Sequence, residues 1–251
     1  MKKILFGEVG GRGKILIFIV IAVCVAFAFL VVLVFLHNSE LPQTVDELHW
    51  KVGDTWTYSG KVRFWSGEGL DRILIEKVVG EERIDGKDCY VEIITLEPYG
   101  VLVLDADVKY LKLWVEKDTF ETKQAFFLAE GNFPVINVSY RNEFAQELFP
   151  LEVGKESRCT ISTRATNYLG EIPPQESNWK SVSVVRAKEN VETPAGTFEC
   201  FMISTYENDI GGAPIWEWAY SPKVLNVVRS NSSEAIIENR DLVSYELQPR
   251  G

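Results

Sequence analysis

Strong nucleophiles and metal ligands are scarce in this chain of 251 residues, which carries four cysteines and two histidines. His37 and His49 lie near each other in a short polar stretch, outside any Ser or Cys constellation. A histidine general base or a Ser-His-Asp triad is therefore not expected. Cys24 falls inside an apolar run, which leaves Cys89, Cys159 and Cys200. An oxidising compartment lets two of these pair and leaves one free. Cys89 and Cys200 are the expected disulfide, with Cys159–Cys200 and three buried thiols as the alternatives. A cysteine nucleophile is not expected without a partner histidine.

Carboxylates are the abundant chemistry, with 36 Asp and Glu against 26 Lys and Arg. Asp105 and Asp107, two apart, would share one face of a strand and could hold Ca²⁺ with Glu217 or Asp209. A calcium site wants six to eight oxygens, and no loop has the EF-hand pattern, so a solvated turn is the simpler reading. A two-carboxylate glycosidase needs a fixed separation that composition cannot supply. No Walker loop, G-x-G-x-x-G or H-E-x-x-H is present. No catalytic residue, metal ligand or cofactor is assigned. The net charge of −10 argues against nucleic acid, because counterion release needs a basic face.

Two softer features remain. Trp216, Trp218 and Tyr220 alternate along one strand face, where they would line an apolar cavity or stack on sugars; burial in a core is the ordinary alternative. Asn137-Val-Ser139 and Asn231-Ser-Ser233 are glycosylation acceptors, consistent with a domain outside the cell.

The elements that position these residues begin with a membrane anchor. Ile15 to Leu36 contains no charge, Pro, Gly or amide. As a helix it spans roughly 33 Å, enough to cross a hydrocarbon core. Lys2, Lys3, Arg12 and Lys14 precede it, so the positive-inside rule places residues 1–14 in the cytoplasm and the rest outside. The span is too long for a cleaved signal peptide, so an uncleaved single-pass anchor in the cell membrane is expected. Residues 37–50 form a linker, and residues 51–251 form one outer domain. Beyond the span 22 bases face 35 acids, a net charge of −13.

Within that domain, runs rich in Val, Ile, Thr, Tyr, Phe and Trp alternate with turn residues, so the fold class is all-β. Asp85-Gly86 between apolar runs signals a tight hairpin. One short helix is expected over Asn142–Leu148, with Asn142 as cap, Phe144 and Leu148 four apart, and Pro150 as stop. An antiparallel meander, an open or closed barrel and a sandwich all fit this pattern.

The chain also repeats itself. Trp50–Tyr58 matches Leu151–Cys159, and the stretch from Val78 to Val91 matches that from Val185 to Met202. Two tandem meander halves, about 51–141 and 151–230, explain both.

The blocks Val52–Tyr58, Phe149–Lys155, Pro194–Cys200 and Trp218–Pro222 resemble a family of uncharacterised archaeal and bacterial envelope proteins. That family is related in fold to the lipoprotein carriers LolA and LppX. The resemblance implies an unclosed β-barrel, a curled sheet whose concave face binds lipid. Leu225 stands where the family pattern has glycine. The expectation is a membrane-anchored outer binding module for lipid or another apolar ligand. An envelope scaffold that contacts surface proteins is the alternative, and a glycosidase-like hydrolase is a third reading.

Overall fold

In a computed structural model, the described residues are 50–250 without 64–68, 99–100, 104–105, 118–121, 146–147, 149, 170–172 and 234–236. The expected anchor at 15–36, with its flanks 1–14 and 37–49, lies outside them. No helix among the described residues is long and apolar enough to cross a membrane.

Thirteen strands account for most of the described residues. They are β1 (Thr55–Arg63), β2 (Gly69–Ile84), β3 (Lys87–Glu97), β4 (Val101–Val103), β5 (Ala106–Glu116), β6 (Thr122–Ala129) and β7 (Phe133–Ala145), then β8 (Glu156–Asn167), β9 (Gln175–Thr193), β10 (Gly196–Glu207), β11 (Trp216–Ser221), β12 (Asn226–Ser232) and β13 (Ile237–Glu246). Apart from β3 and β4, strands that are neighbours in sequence pair antiparallel. β3 pairs with β5, and β4 continues along the same side of β5. β13 returns to β1, from Thr55↔Glu246 to Val62↔Ile237. The result is a closed up-and-down barrel of twelve strands, with β4 as an extension of one wall.

This corrects the expected unclosed barrel. Closure satisfies both edges of the sheet, which an open form leaves as unpaired backbone. It rests on Gly60, which pairs with Arg240 on β13. A Cβ at Gly60 would collide with the Asn239 carbonyl oxygen and press on the Arg240 Cα.

The expected helix at Asn142–Leu148 is corrected as well. Asn142 to Ala145 end β7 and pair with Ile161, Thr160 and Cys159 of β8. Ladder hydrogen bonds and closure of the ring outweigh one turn of helical propensity. The one helical turn among the described residues is a 3₁₀ turn at Glu130–Asn132.

Six barrel strands precede Pro150 and six follow it, the second set reaching Glu246. The same turn opens each set. Gly53 N donates to Val78 O at 2.8 Å and Gly154 N to Val185 O at 2.8 Å. Both glycines have positive φ, 102° and 89°. Asp54 N and Lys155 N each close a tight turn, onto Lys51 O and Glu152 O. The Asp85-Gly86 hairpin has positive φ at both positions, which its type I′ geometry requires.

Inward-facing side chains from all twelve strands join one core, from Trp56 on β1 through Leu113, Phe127, Ile161 and Ile203 to Trp218 and Leu242. A round barrel of twelve strands would leave a lumen wider than side chains fill. Trp56, Leu113 and Leu242 are nevertheless 0% exposed, so the interior is filled by side chains around them. One end is stoppered: the β11–β12 turn is tucked inward, with Val224 and Leu225 buried. The Trp56 and Trp50 indoles donate to the carbonyls of Val224 and Leu225, each at 2.9 Å. Leu225 holds φ 58°, the left-handed conformation that glycine adopts most readily.

Gly60→Ala should lower the unfolding free energy by about 1–3 kcal/mol through overpacking at the β1–β13 closure. Urea denaturation of the full chain measures it. An unchanged midpoint would show that β13 does not need bare backbone there.

Candidate functional site

Successive strands put polar side chains outward wherever apolar ones face the core. On β7, β8 and β9 the outward positions are Ser139 and Arg141, Ser162 and Arg164, and Glu176 and Asn178. Register places Arg141 opposite Ser162, Ser139 opposite Arg164, Arg164 opposite Glu176, and Ser162 opposite Asn178. Ser162 Oγ donates to Asn178 Oδ1 at 2.6 Å. At the bottom of this surface Thr163 and Ser177 share a hydrogen bond of 2.7 Å.

The tip of the β2–β3 hairpin faces this surface and encloses a cleft of about 860 Å³. Ile84, Asp85, Lys87 and Lys123 contribute to its lining. One buried carboxylate fixes the last two. Glu116 binds Lys87 Nζ at 2.7 Å and Lys123 Nζ at 2.7 Å, with its own side chain 2% exposed. Burial alone would raise the Glu116 pKa, and hydrogen bonds from the two lysines override it and hold the carboxyl below its ordinary value. Four cationic side chains and two carboxylates thus line a cleft in a strongly acidic chain. Arg141 and Arg164 make no side-chain hydrogen bond or ion pair among the described residues.

A smaller cleft of about 380 Å³ lies on β13, β1 and β2, the counterparts of β7, β8 and β9 in the other half. Each cleft therefore straddles a seam between halves. The smaller one carries Lys61 and Arg72 against Asp71, Glu97 and Asp241. The duplication has diverged in sign as well as size.

Inside the barrel sits a second polar group. Arg240 and Glu76 form an ion pair with side chains 2% and 4% exposed. Asn226 Nδ2 donates to Glu76 Oε2 at 3.4 Å, and the guanidinium lies 4.4 Å from the Tyr58 ring centroid. Glu92, one strand beyond Glu76, is also buried. Tyr58 Oη, Glu92 Oε1, Trp218 Nε1 and Arg240 Nε have no hydrogen-bond partner among the described residues. Two carboxyls share one guanidinium. Burial raises the Glu92 pKa well above its ordinary value, and the Glu76 charge adds to the effect. Burial beside Glu76 therefore favours the protonated form of Glu92, which limits the net charge held in the interior.

The residues singled out from sequence fall elsewhere. Trp216, Trp218 and Tyr220 do share an inward face, and all three are buried in the core. Asn137 is half-buried on the outer face and accepts from Gln124 Nε2 at 3.1 Å. Asn231 is exposed on β12. The expected Cys89–Cys200 disulfide is not formed, and neither is Cys159–Cys200. Cys89 on β3 and Cys200 on β10 are six strands apart around a ring of twelve, on opposite walls. Cys89 packs outside the main core with Val91 and Trp114. Equivalence within a twofold repeat thus separates the pair. Burial pushes the Cys200 thiol up to about 12, so it is poorly nucleophilic.

Sequence reasoning missed Arg141, Arg164, Lys87, Lys123 and Glu116. The available signal was polar alternation on three successive strands, which needs the strand register before it reads as one surface.

No family model matches the chain, and no curated protein matches it. Two solved structures resemble it loosely. One is a predicted exported protein with a YmcC-like fold from Bacteroides fragilis, 12% identical, TM-score 0.41, covering 79% of this chain and 97% of its own. The other is a predicted lipoprotein from Parabacteroides distasonis, 15% identical, TM-score 0.37, covering 80% of this chain and 98% of its own. Scores this low transfer neither function nor location.

The raised Glu92 pKa makes stability pH-dependent. The folded chain keeps a proton that the unfolded chain releases near about pH 4.3. Stability contributed by Glu92 is complete below that pH and is lost as pH rises toward the folded pKa, by up to about 1.4 kcal/mol per pH unit. Glu92→Gln is neutral at every pH. Its stability relative to the parent should rise as the pH increases above about 4 in urea titrations. A flat difference would mean that Glu92 is ionised in the fold.

Proposed function

We propose that this chain is a membrane-tethered binding module, displayed outside the cytoplasm, that holds a polar ligand in the β7–β9 seam cleft. The carrying observation is the cleft of about 860 Å³ with two unpaired guanidiniums on its wall. Its size falls within the usual range for small-molecule sites, about 300–1,000 Å³. The apolar span at 15–36 and its basic flank support the tether and the orientation.

Lipid in the concave face is less well supported. The inward side chains are buried against one another, and a lipid would have to displace Trp216, Trp218 and Tyr220. Hydrolysis is not part of the proposal. Glu76 and Glu92 are a buried pair of acids, and neither lines the cleft.

One observation favours the scaffold reading as a second role. Phe133, Tyr168 and Leu169 are 57%, 48% and 42% exposed at the end of the barrel away from Trp50. Tyr168 N donates to Val135 O at 3.0 Å, which holds the two loops together. An apolar group at the far end suits contact with a neighbouring surface protein.

Ser162→Trp tests the cleft, since Ser162 lies at its centre on an outward position. The full-length variant in nanodiscs should fold normally and lose the thermal stabilisation that the parent gains from its ligand in a screen of sugars, sugar acids and carboxylates. A stabilising ligand whose effect is unchanged by Ser162→Trp would place binding elsewhere.

A further inference from the structure

We infer that the ligand of the seam cleft is an acidic saccharide, a hydroxyl-rich molecule bearing carboxylate, sulfate or phosphate groups. This rests on the reading of the cleft as the binding site and adds the chemistry of its occupant.

Charge sets the first requirement. Arg141 and Arg164 lie diagonally across the β7–β8 ladder, since each faces a serine of the other strand. Diagonal partners in an antiparallel pair stand about 7–8 Å apart, within joint reach of long side chains. A guanidinium binds an oxyanion through two parallel hydrogen bonds, so the pair can hold two acidic groups or clamp one. Both are exposed and unpaired, so no internal carboxylate must be displaced first. Glu176 stands opposite Arg164 in register and forms no ion pair with it.

The facing wall is also cationic. Lys87 on the hairpin tip and Lys123 on β6 are held together by Glu116. That carboxylate is almost inaccessible, whereas the Lys87 side chain is 57% exposed. The arrangement orients two ammonium groups on the wall facing Arg141 and Arg164.

The surface between these walls sets the second requirement. Ser139, Ser162 and Asn178 offer hydroxyl and amide groups that donate and accept, suited to alcohol hydroxyls. Cationic walls around a hydroxyl and amide surface fit a sugar with acidic substituents better than a lipid or a plain polycarboxylate.

The smaller cleft provides an internal contrast. It occupies the equivalent strands, but three carboxylates there outnumber two cations. Acidic saccharides should therefore load one site per chain, not two.

Isothermal titration of the full-length protein in zwitterionic nanodiscs tests this with three probes. They are trigalacturonate, neutral maltotriose, and the sugar-free tricarboxylate tricarballylate. Trigalacturonate should bind with one site per chain and weaken as salt rises. Arg141→Gln and Arg164→Gln, both on exposed positions, should each weaken it about tenfold or more, with unchanged thermal midpoints in the absence of ligand. If maltotriose binds as well and both variants leave it unaffected, the acid requirement falls and the cleft reading stands. If tricarballylate binds as tightly as trigalacturonate, the saccharide requirement falls. If none of the three binds, the inference fails. The cleft reading fails with it only if the Ser162→Trp experiment also finds no cleft-dependent ligand.

Discussion

The pairing of β13 with β1 closes the sheet, and the rest of the molecule follows from that closure. A closed ring has no free edges, so backbone hydrogen bonding is satisfied around the whole circumference. A closed ring also seals its interior. Any charge inside must then be neutralised by the protein itself, because water cannot do it. Glu76 and Arg240 meet across the closure, and burial beside them raises the Glu92 pKa and favours its protonated form. At Gly60 the β13 backbone leaves no room for a Cβ, so one missing side chain and one buried ion pair mark the same joint.

Closure also decides where a ligand has room. The inner face is consumed by the core, so polar chemistry is displaced to the outer surface. There the two halves meet at two seams, and the surface is recessed at both. The β2–β3 hairpin overhangs one seam with the Glu116-bound lysines. Its counterpart, the β9–β10 hairpin, docks instead on β13, where Ala195 N donates to Leu242 O at 3.1 Å. A duplicated scaffold has thus kept one overhang free and committed the other to structure.

Much of this scaffold was legible in the sequence. Alternating β-branched and aromatic runs gave the strands. Asp85-Gly86 gave its hairpin, since few residue pairs accept two positive φ angles. The Gly53 and Gly154 turns carried the repeat, because each needs a left-handed residue at the same point of its half. What escaped was long-range. Whether the ring closes depends on β13 meeting β1 across almost the whole domain, which no local pattern encodes. Asn142–Leu148 reads as a helix locally, and the ladder with β8 overrides it. Cys89 and Cys200 hold equivalent positions of the repeat, and a ring puts equivalent positions on opposite walls, so the expected disulfide is not made. The aromatic triad was placed on a shared face, and only the core shows that this face is closed to ligand. The cleft residues come from four strands and one hairpin tip, so no single segment announces them.

Amide hydrogen exchange of the full-length protein tests closure, on which the whole account depends. β1 and β13 should exchange as slowly as the interior pair β9 and β10, because each has a partner on both sides. Fast exchange confined to the facing amides of β1 and β13 would mean that the barrel is open there and its interior accessible to ligand.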